Sequence, residues 1–276
     1  MLQLHNTSHE KRKRKLVFFL TLAVLFILLG IVAPYITPND PNLTNSAHMN
    51  EGPSRLFPFG TDQYGRCVLS RVMAGARTSI ISAVLLVAIT FAAGSFLGML
   101  AGYCGGWIDA FIMRLADIFL AFPQMVLAIA VAGVLGGGML NAMIAIGISE
   151  WTLYARLART QVMSIKNEAY ISAARLSGIR GLPLLVKYFL PNMLGPLLVQ
   201  AAAQIGTTLM GIAGLSFLGI GVTEPQAEWG SMINEGRAYI QLNPWPVLAP
   251  AAAIILTVIV FNLLGDSARE CLDVEA

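Results

Sequence analysis

Five polar or ionisable residues stand inside otherwise apolar segments of this 276-residue chain. Two of them, Asp117 and Glu150, are acidic. The other three, Gln200, Gln204 and Thr208, recur at i, i+4 and i+8, which is one face of a helix. An ionisable group at the centre of a membrane costs about 2.5–3.5 kcal/mol on insertion scales, so such a group is expected to have a function. We predict that the five residues either line a polar path across the membrane or bond to neighbouring helices.

For each of the two acidic residues, a bond to a local partner is an alternative to a path role. Arg114 lies three residues before Asp117 on the same helical face, so an ion pair within one helix is the alternative to a path role. Glu150 has no basic residue within one helical turn. It could attract a cation, or it could bond to Thr152, to Tyr154 or to a neighbouring chain.

The sequence contains no recognisable catalytic or metal-binding arrangement. None of the three histidines lies in an apolar segment, so an intramembrane protease would lack a Ser–His pair and an HExxH motif. The three cysteines are far apart, which predicts neither a disulfide framework nor a zinc site. No GxxxxGK[ST] phosphate loop is present. We therefore assign no catalytic residue, leave metal ligands unknown and expect no cofactor bound by this chain.

The elements that must position these residues are transmembrane helices. Hydrophobic residues make up 56% of the chain and charged residues 12%, whereas a soluble domain is about 25% charged. A net charge of +3 is too small to indicate a nucleic-acid partner. A span needs about 20 apolar residues, and six segments qualify approximately: 16–36, 79–103, 111–135, 140–157, 193–218 and 245–264. We predict an all-α integral membrane protein with six transmembrane helices.

The distribution of basic residues predicts the orientation of the chain. Of the 18 lysines and arginines, 13 fall in the pieces that an inside N-terminus would make cytoplasmic, and five fall in the outer pieces. Both termini are therefore expected in the cytoplasm, with an uncleaved first span. The predicted division is a cytoplasmic tail (1–15), a first transmembrane helix (16–36), an extracytoplasmic segment (37–78), a core (79–265) with a cytoplasmic loop (160–192), and a cytoplasmic C-terminal tail (266–276).

The loop at 160–192 predicts a short helix, a glycine turn and a second helix. Glu168 suits the first turn of a helix, and Gly178 can end that helix in the left-handed conformation. Pro183 can open the second helix, and Pro191 is expected to bend or break the chain before the fifth span. Such a short helix has little of its own chain to bury against, so we predict that it fits a groove of another protein. A helix lying on the membrane surface is the alternative.

The spacing within this loop resembles the EAA loop of binding-protein-dependent ABC importer permeases, E-A-A, x3, G, x9, I-x-L-P. Ser172-Ala173-Ala174 is followed by Gly178 after three residues and by Tyr188-Phe189-Leu190-Pro191 after nine more. Ser172 replaces the glutamate and Tyr188 replaces the isoleucine. Other segments resemble the dipeptide, oligopeptide and nickel branch of that family, although Cys67 replaces a usual aspartate: Phe59–Arg77, Arg114–Pro123, Gly214–Val222, Glu228–Arg237 and Phe261–Asp273.

The resemblance implies the type I ABC importer architecture and a C-type permease subunit in the bacterial cytoplasmic (inner) membrane. It implies a homologous second permease, two cytoplasmic ATPases that hold ATP and Mg, and an extracytoplasmic substrate-binding protein. The chain itself is then not an enzyme, because ATP hydrolysis belongs to its partners. The residues implied in coupling to the ATPases are Glu168, Ser172, Ala173, Ala174, Gly178, Leu190 and Pro191.

Within that branch, the sequence leaves two substrate classes open. The segments 221–240 and 149–156 look closer to nickel permeases, whereas peptide relatives more often carry a Pro-Pro-Thr-Pro run before Glu228-Trp229-Gly230. Nickel, as ion or chelate, is thus slightly favoured over di- or oligopeptides. A stand-alone channel or secondary carrier is a further alternative, and it would need no EAA-like loop.

Overall fold

The computed structural model describes residues 2–272, with side chains from Glu10 onward. Helices account for the regular structure in this range, and the only β-type contact is an isolated bridge between Thr61 and Cys67. The all-α prediction is therefore confirmed. The helices in chain order are α1 (Leu2–Val32), α2 (Val68–Cys104), α3 (Gly106–Leu120), α4 (Gln124–Leu135), α5 (Met139–Ile165), α6 (Ala169–Leu176), α7 (Leu182–Leu184), α8 (Leu190–Phe217), α9 (Trp229–Gly236) and α10 (Trp245–Leu272).

Fewer than the six predicted spans qualify when the helices of the described chain are judged by their length and hydropathy. Four helical stretches are long and apolar enough to cross a membrane, and α3 with α4 makes a fifth only as a broken span. The four stretches are Glu10–Tyr35, Val68–Cys104, Leu182–Phe217 and Trp245–Leu272. α5 is not among them, and it carries Glu150, Arg156 and Arg159. That α5 crosses the membrane stays a prediction.

The third predicted span, 111–135, is not one helix. α3 ends at Leu120, α4 begins at Gln124, and the two helix axes differ by 88°. Pro123 lies in the break and is the reason for it, because proline disfavours the helical conformation of the residue before it.

The fifth predicted span shows the opposite behaviour. The helical path is continuous from Leu182 to Phe217, so the predicted break at Pro191 is wrong. Pro191 lies in the first turn of α8, directly after a π-helical segment, Leu185–Phe189. The wider π turn changes the hydrogen-bond register at the point where proline has no N–H to donate.

Glycines allow the closest helix contacts of the core. A Cβ at Gly94 or Gly98 of α2 would meet the backbone carbonyl oxygens of Trp151 and Ala155, and α5 is therefore packed directly against α2. Between α8 and α10, a Cβ at Gly265 would lie 2.9 Å from that of Ala203. Small residues at such crossings let helix backbones approach.

The helices form a bundle with two opposite ends, and contacts between chain segments gather at each of them. At the end that carries α6, the Lys166 ammonium donates to the carbonyl oxygens of Gly102 (3.0 Å) and Tyr103 (2.9 Å) at the close of α2. Lys15 and Glu270 pair at 2.8 Å and join α1 to the last turns of α10. We call this end the α6 end. The pieces predicted to be cytoplasmic meet there, although the side of the membrane stays a prediction.

The opposite end gathers the segments that were predicted to be extracytoplasmic. The Gly138 N–H donates to the Gly221 carbonyl at 2.8 Å, which joins the α4–α5 turn to the segment after α8. The rings of Phe59 and Trp245 stack with centroids 5.4 Å apart. This end is therefore a packed structure and not a set of independent loops.

Candidate coupling helix and translocation path

The α6 region folds as its local sequence predicts. Glu168 is the N-cap, and its carbonyl accepts from the N–H groups of Ile171 (3.1 Å) and Ser172 (3.0 Å). The helix ends at Leu176, and Gly178 has φ +83°, where a side chain would be strained. The predicted helix and glycine turn are thereby confirmed.

One face of α6 is buried in its own chain, which the sequence did not predict. Ile171 (0% exposed) and Ala174 (4%) pack in one apolar cluster with Leu184, Leu185 and Phe189. The expectation that so short a helix has little to bury against is therefore wrong. The glycine turn folds the chain back so that α7 and the π segment cover α6.

The other face of α6 is free in this structure. Leu176 is 90% exposed and Tyr170 is 42% exposed, and Ala173 lies between them in the sequence. We call these three residues the contact face of α6. Leu176 was not among the predicted coupling residues, although an apolar residue just before a terminating glycine was a usable signal. Of the predicted ones, Ala174 is buried, Leu190 is half-buried, and the exposed ones are Glu168, Ser172, Ala173, Gly178 and Pro191.

Two ion pairs join α3 to α5 near the α6 end. Arg159 donates to both carboxylate oxygens of Asp109, from Nε to Oδ1 at 2.5 Å and from Nη2 to Oδ2 at 2.6 Å. Asp117 pairs with Arg156 of α5, so the ion pair expected with Arg114 in the same helix is wrong. The pairs align α3 antiparallel to α5.

Glu150 is the centre of a buried polar cluster between α5 and α8. Its Oε1 accepts from Thr208 Oγ1 (2.7 Å) and Gln204 Nε2 (3.2 Å), and the residue is 4% exposed. Its Oε2 has no donor among the described residues. Thr152, one of the expected local partners, donates to the Ser149 carbonyl instead.

The structure thus brings together three of the five predicted path residues. Glu150, Gln204 and Thr208 form the cluster, whereas Gln200 lies half-buried nearer the α6 end and borders the same cavity as Arg269. Asp117 lies apart from them on α3. That these residues line a path stays a prediction.

A buried ion network at the opposite end was not predicted. Arg66 (2% exposed) donates to Asp62 and to Glu235, each at 2.6 Å, and Arg71 (1% exposed) lies beside both acids. Burial raises the pKa of the Glu235 carboxyl, while Arg71 and Arg66 lower it. The network ties the segment before α2 to α9. The residues were visible in the sequence, but their pairing across more than 160 positions was not.

Comparisons with known proteins match this architecture. Residues 94–274 match the family described as the binding-protein-dependent transport system inner membrane component. A dipeptide transport system permease of Alkalihalophilus pseudofirmus is 40% identical over 95% of this chain and 86% of its own length. A probable D,D-dipeptide permease of Escherichia coli K12 is 42% identical, covering 92% and 85%. A glutathione permease of Pectobacterium atrosepticum is 40% identical, covering 91% and 85%.

A solved structure supports the fold at greater evolutionary distance. The MetNI methionine ABC transporter, in an inward-facing conformation, aligns with a TM-score of 0.53 at 17% identity, covering 70% of this chain and 94% of that chain. This likeness concerns the fold alone, and it agrees with the type I architecture that the loop spacing implied.

Proposed function

This chain belongs to the family of inner-membrane components of binding-protein-dependent transport systems, and from that premise we propose that it is one permease subunit of an ATP-driven importer for di- or oligopeptides. The three relatives described above are named for dipeptides, D,D-dipeptides and glutathione, which all contain amide-linked amino acids. The slight preference for nickel finds no support among them. Peptides are therefore the substrate class that we propose.

The proposed assembly contains a homologous second permease, two cytoplasmic ATPases and an extracytoplasmic binding protein. This sequence contains no phosphate loop, so ATP and Mg²⁺ would be held by the ATPases and not by this chain. The α6 end would face the cytoplasm, because most of the basic residues belong to the pieces that meet there.

The observation that carries the proposal is the contact face of α6. The exposed apolar face of Tyr170, Ala173 and Leu176, on a helix anchored by Ile171 and Ala174, supports a surface that another protein covers. Motion of an ATPase that holds this face would reach α2 through the Lys166 contacts and α8 through the continuous helix from Leu182. Rigid-body tilting of these helices would then open the path.

The path would run along α8, where Gln204 and Thr208 meet Glu150. Gln200 would line it nearer the α6 end, and Asp117 would line it from α3. Glu150 is 4% exposed and faces α8 in this conformation. The support for a path role is the burial of a carboxyl group in a helix that is expected to cross the membrane.

Reconstitution tests the function directly. We expect proteoliposomes with the second permease, the ATPases and the binding protein to take up labelled dipeptide only when ATP is present. Uptake without ATP would indicate a channel or secondary carrier. Uptake of Ni²⁺ but not of dipeptide or glutathione would show that the proposed substrate is wrong.

A variant of α6 tests the coupling surface. Leu176→Glu places a charge in the proposed contact, and we expect it to lower ATPase copurification and peptide uptake about tenfold, since burial of a leucine side chain contributes about 1.5–3 kcal/mol. Leu242→Glu is the matched control, because Leu242 is 75% exposed but belongs to the opposite end. Unchanged copurification of Leu176→Glu would contradict the assignment.

A further inference from the structure

A cavity of about 330 Å³ lies between α5, α8 and α10 near the α6 end. Its volume falls within the range of about 300–1,000 Å³ that is usual for ligand sites. The polar residues that line it are Gln161 of α5, Gln200 of α8 and Arg269 of α10, and the other lining residues are apolar. Among the described residues, no carboxylate lines this cavity. It therefore offers amide and guanidinium groups to a ligand, and no negative charge.

Arg269 lies on the face of α10 that meets α8. Gly265, four residues earlier, and Leu272, three residues later, both lie against α8. Residues at these spacings share one face of a helix. The neighbouring Glu270 lies on another face and pairs with Lys15 of α1. The Arg269 side chain therefore starts from the α8 side of α10 and borders the cavity, although it is exposed in the isolated chain.

The charge of Arg269 is not neutralised by the part of the chain that the structure describes. Within residues 10–272, no carboxylate pairs with its guanidinium. The cavity between α3 and α5 differs in this respect, because its Arg156 pairs with Asp117 and its Arg159 pairs with Asp109. Of these two cavities, only the one that Arg269 borders has a guanidinium free to pair with an anion.

We propose that Arg269, Gln161 and Gln200 bind the carboxylate of an imported peptide where the path reaches the α6 end. The planar guanidinium donates to both carboxylate oxygens through two parallel N–H groups. Each of the two amide side chains has an NH₂ group that donates to a further lone pair of the carboxylate. This inference rests on the proposed function as a peptide importer.

The position of Gln200 favours a peptide over a lipid as the source of the anion. Gln200 lies four residues before Gln204 and eight before Thr208, so the cavity continues the polar face of α8 that meets Glu150. A peptide that moves along this face reaches Arg269 last, before its release at the α6 end. Basic pockets between transmembrane helices also bind the headgroups of anionic lipids, and a peptide without a carboxylate separates the two sources.

The test compares uptake of a free dipeptide and of its C-amidated form by the reconstituted full transporter. For each peptide, uptake by a variant is divided by uptake by the parent, which cancels the preference of the binding protein. Arg269→Gln removes the charge and keeps a hydrogen-bond donor. Arg14→Gln is the matched control, because the Arg14 side chain is 84% exposed on α1 and does not line the cavity.

We expect Arg269→Gln to lower uptake of the free dipeptide about tenfold, because a hydrogen bond to a charged group contributes about a tenfold change in binding or more. Uptake of the amidated peptide should fall less than about twofold, and the control should lower neither by more than that. Equal ratios for the two peptides in Arg269→Gln overturn the inference. An equal loss would indicate that Arg269 faces a lipid phosphate or a carboxylate of the transporter itself.

A second variant decides the question if Arg269→Gln does not assemble with the ATPases. Gln200→Glu places a carboxylate in the cavity, where it competes with the peptide carboxylate for Arg269. It should lower uptake of the free dipeptide more than uptake of the amidated one, and equal ratios again overturn the inference. A parent transporter that takes up neither peptide overturns the proposed function, whereas equal ratios with an active parent overturn this inference alone.

Discussion

At the scale of single residues, buried charges hold together the end opposite α6. Arg66 bonds to Asp62 and Glu235 at once, and all three side chains are at most 13% exposed. Bringing such charges out of water is costly, so the geometry is stable only while each has its partner. Glu228 is a second example, since its two oxygens accept from Ser79 Oγ and the Ser231 N–H.

Removal of Arg66 is expected to destabilise the fold strongly. Arg66→Ala leaves two buried carboxylates short of a partner, and we expect the free energy of unfolding to fall by about 3–5 kcal/mol. Denaturant unfolding in detergent measures this change. Arg55→Ala is the control, because Arg55 is exposed in the same segment. Similar losses in the two variants would argue against the network.

Glu235 gives a prediction for pH. Burial raises the pKa of its carboxyl in the folded state, so folding takes up a proton between the ordinary and the raised value. Lowering the pH through that window should therefore raise the Tm of the parent relative to Glu235→Gln, and raising the pH through it should reverse the change. A Tm difference that is constant with pH would contradict the prediction.

At the scale of elements, α2 and α5 depend on a row of small residues. Gly94, Gly98 and Gly102 recur every four residues, and the sequence alone predicts that they share a close-packing face. Only the structure identifies α5 as the helix that they meet. The backbone of α5 lies so near Gly98 that even one methyl group has no room.

Substitution of Gly98 tests this crossing. Gly98→Ala should lower the free energy of unfolding by about 1–3 kcal/mol through overpacking. Gly133→Ala is the matched control in α4, where a Cβ meets no atom within 4 Å, and alanine should be neutral or stabilising by about 0.5–1 kcal/mol. A destabilisation of the control as large as that of Gly98→Ala would count against the crossing.

At the scale of the whole molecule, the two ends differ in what they can contact. The α6 end combines most of the basic residues with the contact face of α6. At the opposite end, the buried ion network around Arg66 joins the segment before α2 to α9. This division fits a subunit driven from one side and loaded from the other, as the proposed function requires.

The native cysteines allow the orientation to be measured. Cys104 is the last residue of α2, at the α6 end, and is exposed, whereas Cys67 is buried. The test uses a Cys271→Ser background and a maleimide that cannot cross the membrane. The maleimide should label Cys104 in inside-out vesicles. It should not label Cys104 in intact cells in which the reagent reaches only the extracytoplasmic face of the cytoplasmic membrane. Labelling from the outer surface alone would reverse the orientation and remove the basis for ATPase coupling.

The sequence by itself determined the helical membrane class, the α6 helix with its turn at Gly178, and the family. These follow from hydropathy, from the left-handed preference of glycine and from short spacings, which are all local properties. The number of spans and the bend in the third predicted span could not be obtained from the sequence in the same way. Pro123 was visible, but a proline does not by itself set an 88° bend.

Only the tertiary structure decided which side chains meet. Asp117 pairs with Arg156, 39 residues away, and not with its helical neighbour Arg114. Glu150 meets Gln204 and Thr208 because α5 packs on α8, and Ala174 turns inward because α7 folds over it. Contacts of this kind depend on which faces of distant helices are buried together, and residue spacing within one helix carries no information about the helix opposite.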